Sequence, residues 1–150
     1  MHYDLIDNND DLRSFINSLK NDPFVCVDSE FMRTKTYYPD LCLIQIGGRL
    51  KTAIIDMMAQ GLDHTLLYDL FLNQKIVKVF HASRQDIEIL YQMIKNVPAP
   101  VFDTQIAAMF CGFGDQCSYE SLVNEICNKT IDKSNRYSDW KNRPLSKKQL

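Results

Sequence analysis

Hydrophobic and polar positions alternate with one rhythm in the first third of the chain and another in the remainder. Residues 3–6 form a short alternating stretch that predicts an edge strand. Asp7-Asn8-Asn9-Asp10 supplies helix N-cap candidates, and Leu12, Phe15, Ile16 and Leu19 follow at helical spacing up to the break at Asn21-Asp22-Pro23. The run Phe24-Val25-Cys26-Val27 then predicts a buried strand that ends on Asp28-Ser29-Glu30. Two further apolar runs, residues 41–46 and 53–55, flank Gly47-Gly48-Arg49 and predict a hairpin. The first three central strands are therefore expected to be antiparallel neighbours.

Beyond residue 60 the period lengthens. Leu62, Leu66, Leu67, Leu70 and Phe71 share one helical face, residues 76–80 read as a strand, and a second helix starts after His81-Ala82-Ser83 with Ile87, Leu90, Tyr91 and Ile94 inward. Pro98 and Pro100 stop that helix. Val101-Phe102 predicts a short strand, residues 104–110 a helix, Gly112-Phe113-Gly114 a turn, and Ser118 a cap for a last helix packed through Leu122, Val123 and Ile126. Strands first and helix–strand alternation afterwards predict an α/β fold, a mixed central sheet flanked by helices.

Composition narrows the class. At 150 residues the chain fits one domain with a full core, and 45% hydrophobic with 24% charged residues is the balance of a globular protein. No stretch has the apolar length of a membrane span, and Met1-His2-Tyr3-Asp4 lacks the basic start of a signal peptide, so a cytoplasmic location and no membrane partner are expected. Five cysteines, at 26, 42, 111, 117 and 127, include no C-x-x-C pair and are expected to be buried, reduced thiols. The net charge of −2 argues against a protein that coats nucleic acid, but its distribution is uneven. Lys133, Arg136, Lys141, Arg143, Lys147 and Lys148 against Asp132 and Asp139 make the last twenty residues +4 and leave −6 for the rest. A basic tail beside an acidic body suits either a phosphate-contacting surface or a plainly solvated one.

The candidate chemistry sits at Asp28 and Glu30. Alternation along a strand points both carboxylates to one face, and two like charges there are costly unless a cation neutralises them. Hard divalent ions such as Mg²⁺ prefer such oxygen ligands, although a strand running out into an acidic turn would read the same way. Asp86, in the first turn of the helix after the 76–80 strand, is a third acid at the carboxyl edge of the sheet, where functional groups collect. A charge that simply favours a helix N-terminus is the alternative.

Val27-Asp28-Ser29-Glu30-Phe31, Thr36-Tyr37-Tyr38-Pro39 and Leu41-Cys42-Leu43-Ile44-Gln45-Ile46 together resemble the first motif of the ribonuclease D group of DEDD 3′-5′ exonucleases. His81-Ala82-Ser83-Arg84-Gln85-Asp86 resembles the second motif, and Phe102-Asp103-Thr104-Gln105-Ile106-Ala107-Ala108 the segment after it. Asp132-Lys133-Ser134 with Ser138-Asp139-Trp140-Lys141-Asn142-Arg143-Pro144-Leu145-Ser146 is similar to the approach to the third. The resemblance implies a ribonuclease H-like fold over residues 1–150 and a two-metal phosphodiester hydrolysis site. Asp28, Glu30 and Asp86 would be three of four acidic ligands to two Mg²⁺ or Mn²⁺ ions. The family's third motif adds a tyrosine and, four residues later, an aspartate; both would fall beyond Leu150, and Tyr137 matches a different family position. The helical RNA-binding domains that follow in ribonuclease D are likewise outside these residues. The chain is thus expected to be either a piece of a longer protein or a domain with an incomplete site.

The implied substrate is RNA with a single-stranded 3′ end, tRNA precursors among them. Around the acids, His81 could contact substrate phosphate or bond its own helix start, and Phe31 and Met32 could stack on terminal nucleotides or pack in the core. Trp140 is expected to anchor the tail, and Arg143 to contact phosphate through its planar fork. Two competing expectations stand beside the exoribonuclease: a catalytically incomplete RNA-binding or partner-binding domain, and a DNA-directed 3′-5′ exonuclease.

Overall fold

A computed structural model of the chain describes residues 3–33, 36–131 and 138–149. The strands are β1 (Asp4–Ile6), β2 (Phe24–Met32), β3 (Asp40–Gly47), β4 (Thr52–Asp56), β5 (Val77–Phe80) and β6 (Val101–Asp103). The helices are α1 (Asn9–Ser18), α2 (Tyr68–Leu72), α3 (Arg84–Ile94), α4 (Thr104–Phe110) and α5 (Tyr119–Cys127). The strands form one sheet in the order β1-β4-β3-β2-β5-β6. β2, β3 and β4 are antiparallel, as the hairpin pattern predicts, while β1 pairs parallel to β4 and β2, β5 and β6 run parallel.

Local chemistry accounts for most element boundaries. Asn8 caps α1 by accepting from the Asp11 amide, and Ser118 caps α5 by accepting from the Ser121 amide, each satisfying an otherwise unpaired N–H. Gly48 belongs in the β3–β4 turn because a Cβ there would collide with the Asp22 and Leu19 side chains. The long apolar face expected over residues 62–71 is broken instead into a 3-10 turn, His64–Leu67, and the five-residue α2. Asp63 caps that turn by accepting from the Thr65 amide.

One face of the sheet carries the main core. Val25, Val27, Ile44, Ile46 and Ile55 meet Leu12, Phe15 and Ile16 of α1, Phe71 of α2, and Leu90 and Ile94 of α3. On the other face Leu43, Ile54, Cys42 and Trp140 form a smaller cluster, supported by Met32 and Leu145. The tail is therefore anchored through Trp140, as expected. α5 differs from expectation: none of its residues is fully buried, and Ile126 stays 62% exposed. The cysteines are free, but only Cys42 and Cys117 are buried; Cys26, Cys111 and Cys127 are exposed, which corrects the expectation of five buried thiols. No helix among the described residues is long and apolar enough to cross a membrane.

Candidate functional site

β2 overruns β5 at its carboxyl end, and this stagger builds the site. The parallel register pairs Cys26 with Val79, so Asp28 comes level with His81, just past the end of β5. Asp28 and Glu30 lie on the overhang, and a bulge between Glu30 and Phe31 bends the strand there. Asp86 enters from the first turn of α3, which stands on the main-core face. Ser29, buried between the two β2 acids, points to that same face, and its hydroxyl donates to Asp86 Oδ1 at 2.5 Å. Its amide donates to Asp28 Oδ1 at 3.1 Å.

The three acids are shifted in the same direction. Burial pushes the Glu30 carboxyl up to about 7, and the charges of Asp28 and Asp86 push in the same direction. Burial also raises Asp28, against the Ser29 amide and a charge on His81. Asp86 is raised by burial, with the Ser29 hydroxyl opposing and Asp28 reinforcing the shift. Asp28 keeps contact with solvent. No three His, Cys, Asp or Glu side chains among the described residues close into a finished ligand set. The donor chemistry nonetheless fits a hard divalent cation: oxygen ligands only, mutually repelling, with a positive charge the evident means of lowering all three.

The turn that carries His81 is held by a residue the sequence reading did not single out. Ala82 takes a left-handed conformation, φ 57°, and is fixed by Asp103, whose carboxylate accepts from the Ala82 and Ser83 amides and the Ser83 hydroxyl. The same carboxylate accepts from the Gln105 amide at the start of α4. Burial raises the Asp103 pKa, but these donors outweigh it and the net shift is downward. His81 does not bond its own helix start. Its Nδ1 lies 2.9 Å from Thr104 Oγ1, which donates onward to the Phe80 carbonyl at 3.0 Å. Because the Thr104 proton is committed, Nδ1 carries its own proton and Nε2 faces away from this chain of bonds. Tyr119 stacks obliquely on the imidazole, with ring centroids 5.4 Å apart. Ser29 and Asp103 lie inside the family-like segments and Tyr119 outside them, but the sequence assigns none of them a role, because their roles arise from contacts 20 or more residues away.

Two expected site residues are redirected. Arg143 is not available for phosphate: Nε and Nη2 donate to Asp56 Oδ2 and Oδ1, both at 2.6 Å, and Nη1 donates to the Trp140 and Asn142 carbonyls. Its remaining N–H reaches the Cys42 carbonyl at 3.4 Å, so all five donors are engaged within the chain. Met32 packs against the Trp140 cluster. Phe31 is half-buried and lines an open pocket beside α3. Of the basic tail, Lys141 pairs with Asp40 at 2.5 Å, whereas Lys133 and Arg136 lie outside the described residues.

Comparison with known proteins agrees with this geometry. The sequence model of the 3′-5′ exonuclease family matches residues 3–150. Ribonuclease D of Acidiphilium cryptum is 51% identical over 146 residues, covering 97% of this chain and 37% of that protein. The crystal structure of Escherichia coli RNase D, described as an exoribonuclease involved in structured RNA processing, superposes with a TM-score of 0.95 at 36% identity over 99% of this chain and 40% of that one. Brucella melitensis NrnC with bound Mg²⁺ superposes with a TM-score of 0.80 at 25% identity, over 99% of this chain and 71% of its own. The chain thus spans little more than a third of the curated relative's length. It belongs to the 3′-5′ exonuclease family, with ribonuclease D among its relatives.

Proposed function

We propose that residues 1–150 are the nuclease domain of a metal-dependent 3′-5′ exoribonuclease of the ribonuclease D type, releasing mononucleotides from single-stranded RNA 3′ ends. The observation that supports this reading is that Ser29, between Asp28 and Glu30, bonds Asp86 at 2.5 Å, while the charges of Asp28 and Asp86 both act on Glu30. Structured RNA precursors such as tRNA are the proposed substrates and the cytoplasm the proposed location. Two Mg²⁺ or Mn²⁺ ions, held by Asp28, Glu30 and Asp86, would supply the positive charge that activates a water and stabilises the leaving 3′ oxygen.

The chain's own residues do the positioning. Asp28 and Glu30 present their oxygens from a strand that β3 holds along this stretch, with Asp28 opposite Gln45 and Glu30 opposite Leu43, so their spacing costs little reorganisation when substrate arrives. Ser29 holds Asp86 through Oδ1. His81, oriented through Thr104, presents Nε2 to a phosphate oxygen near Asp28, and Phe31 offers a ring face to a terminal base.

The test is hydrolysis of a 3′-tailed RNA by the protein that contains this domain, with Mn²⁺ present. Asp28→Asn is expected to lower the rate by about a thousandfold or more, as loss of a group acting on transition-state charge does. An unchanged rate would refute the assignment.

A further inference from the structure

The β2–β3 connection and α3 enclose an open pocket of about 410 Å³ outside the acidic cleft. Its wall is unusually aromatic for a surface: Phe31, Tyr37, Tyr38 and Tyr91 all contribute, joined by Arg33 and Gln85. Tyr37 is 80% exposed, Tyr38 54% and Tyr91 46%, so the rings face solvent rather than a neighbouring element. Tyr37 and Tyr38 meet edge to face with centroids 4.8 Å apart, which holds one ring upright beside the other. Packing explains none of this exposure. A pocket with several π faces, an amide side chain and a guanidinium has the chemistry that binds an unstacked nucleobase, and its volume is ample for one.

Position decides between occupants. Phe31 follows Glu30 directly and Gln85 immediately precedes Asp86, so the pocket begins one residue from two of the three acids. Its carboxylate, Glu88, is paired with Arg84 at 3.2 Å and so presents less net repulsion to a phosphate backbone. We propose that this pocket takes one unpaired base of the RNA strand whose 3′ end lies in the acidic cleft, with Tyr91 as the stacking platform and Arg33 beside the backbone. The inference rests on the exoribonuclease reading but adds to it a second contact, away from the reacting atoms, that selects single-stranded over paired RNA. A base held there must be unstacked, which a duplex does not permit without strand opening.

Binding is measured in Mg²⁺ on an Asp28→Asn background, so that the strand stays intact, and hydrolysis on the unaltered protein in parallel. The probe is a short, end-labelled oligoadenylate, together with versions carrying one abasic nucleotide at successive positions from the 3′ end. One abasic position is expected to weaken binding by about tenfold. Tyr91→Ala is expected to weaken the intact strand by a similar factor and to erase that positional dependence, and Tyr91→Phe to restore both. Because Tyr37 and Tyr38 are exposed, the Tyr37→Ala, Tyr38→Ala double variant provides the same readout should Tyr91→Ala fold poorly. If these variants bind as tightly as the parent with the same profile while the unaltered protein still hydrolyses RNA, the pocket proposal fails and the exoribonuclease reading survives. If the Asp28→Asn protein does not bind the strand and the unaltered protein does not hydrolyse it, both fail. Loss of a protein partner on Tyr91→Ala, with RNA affinity unchanged, would make the groove a protein contact and likewise overturn the inference.

Discussion

Carboxylates at two places around one sheet are treated in opposite ways. Asp56, at the end of β4, faces the Arg143 fork; although burial raises its pKa, the paired guanidinium and the Met58 amide bring it below the ordinary carboxylate value. Asp28 and Glu30, on the overhang of β2, and Asp86, on α3, have no Arg or Lys paired with them among the described residues, and all three are raised. The first arrangement closes the tail onto the body and satisfies itself. The second partly buries three carboxyls, chiefly raised by loss of water, with their mutual charge adding at Glu30 and Asp86, the kind of environment found where carboxylates serve chemistry. Like residues in like positions therefore separate into a clamp and a cleft according to whether a cation is built in.

This contrast can be broken from either side. The largest effect is expected at the clamp: Arg143→Met leaves Asp56 half-enclosed without its partner and should cost about 3 kcal/mol in urea unfolding. A loss under about 0.5 kcal/mol would mean that the tail is not held by this pair.

A buried cation with no carboxylate supplies the next test. Lys78 is fully buried on β5, and its Nζ donates to the Asn73, Ile76 and Ala99 carbonyls at 2.8, 2.8 and 2.5 Å. Those acceptors match the three protons of an ammonium, while burial pulls its pKa down to about 8 from the ordinary 10.5. Between those values the unfolded chain binds more protons, so this group makes the protein more stable as pH rises from about 8 to 10.5. Thermal melts across that interval should show the rise in the parent and not in Lys78→Met. A parent and variant with parallel profiles would contradict the assignment.

At the cleft the sign reverses. Asp28→Asn removes a like charge and is expected to stabilise the chain by ~1 kcal/mol in chelator, while abolishing hydrolysis. Added Mn²⁺ should raise the melting temperature of the parent and leave this variant nearly unmoved. A variant less stable than its parent in chelator would show that the acids are not in conflict. The smallest effect belongs to Lys141→Ala, whose ion pair with Asp40 is largely exposed and should change unfolding by no more than the scatter of repeated melts.

Much of the architecture is local in origin and was legible as pattern. The apolar run before Asp28, the hairpin across Gly47-Gly48, the caps at Asn8 and Ser118 and the face of α3 each follow from short-range periodicity and capping chemistry, and they suffice to align Asp28 and Glu30 on one strand. Pattern is silent or ambiguous where packing decides. Lys78 lies inside the strand expected over residues 76–80, and periodicity does not say where its charge goes; the sheet is covered on that side and the ammonium finds carbonyls instead of water. Arg143 stands in a basic tail, as a phosphate ligand would, yet only the docking of Trp140 on the far face of the sheet brings its fork onto Asp56.

The sequence by itself determined which residues can carry charge and which segments become strand or helix, because those depend on neighbours a few positions away. Tertiary structure alone decided which acids receive a partner: the stagger of β2 past β5 sets Asp28 beside His81, and the entry of α3 sets Asp86 against Ser29, 57 positions away in the chain. Charge interactions depend on separation in space and on burial, and neither quantity is written in the order of residues.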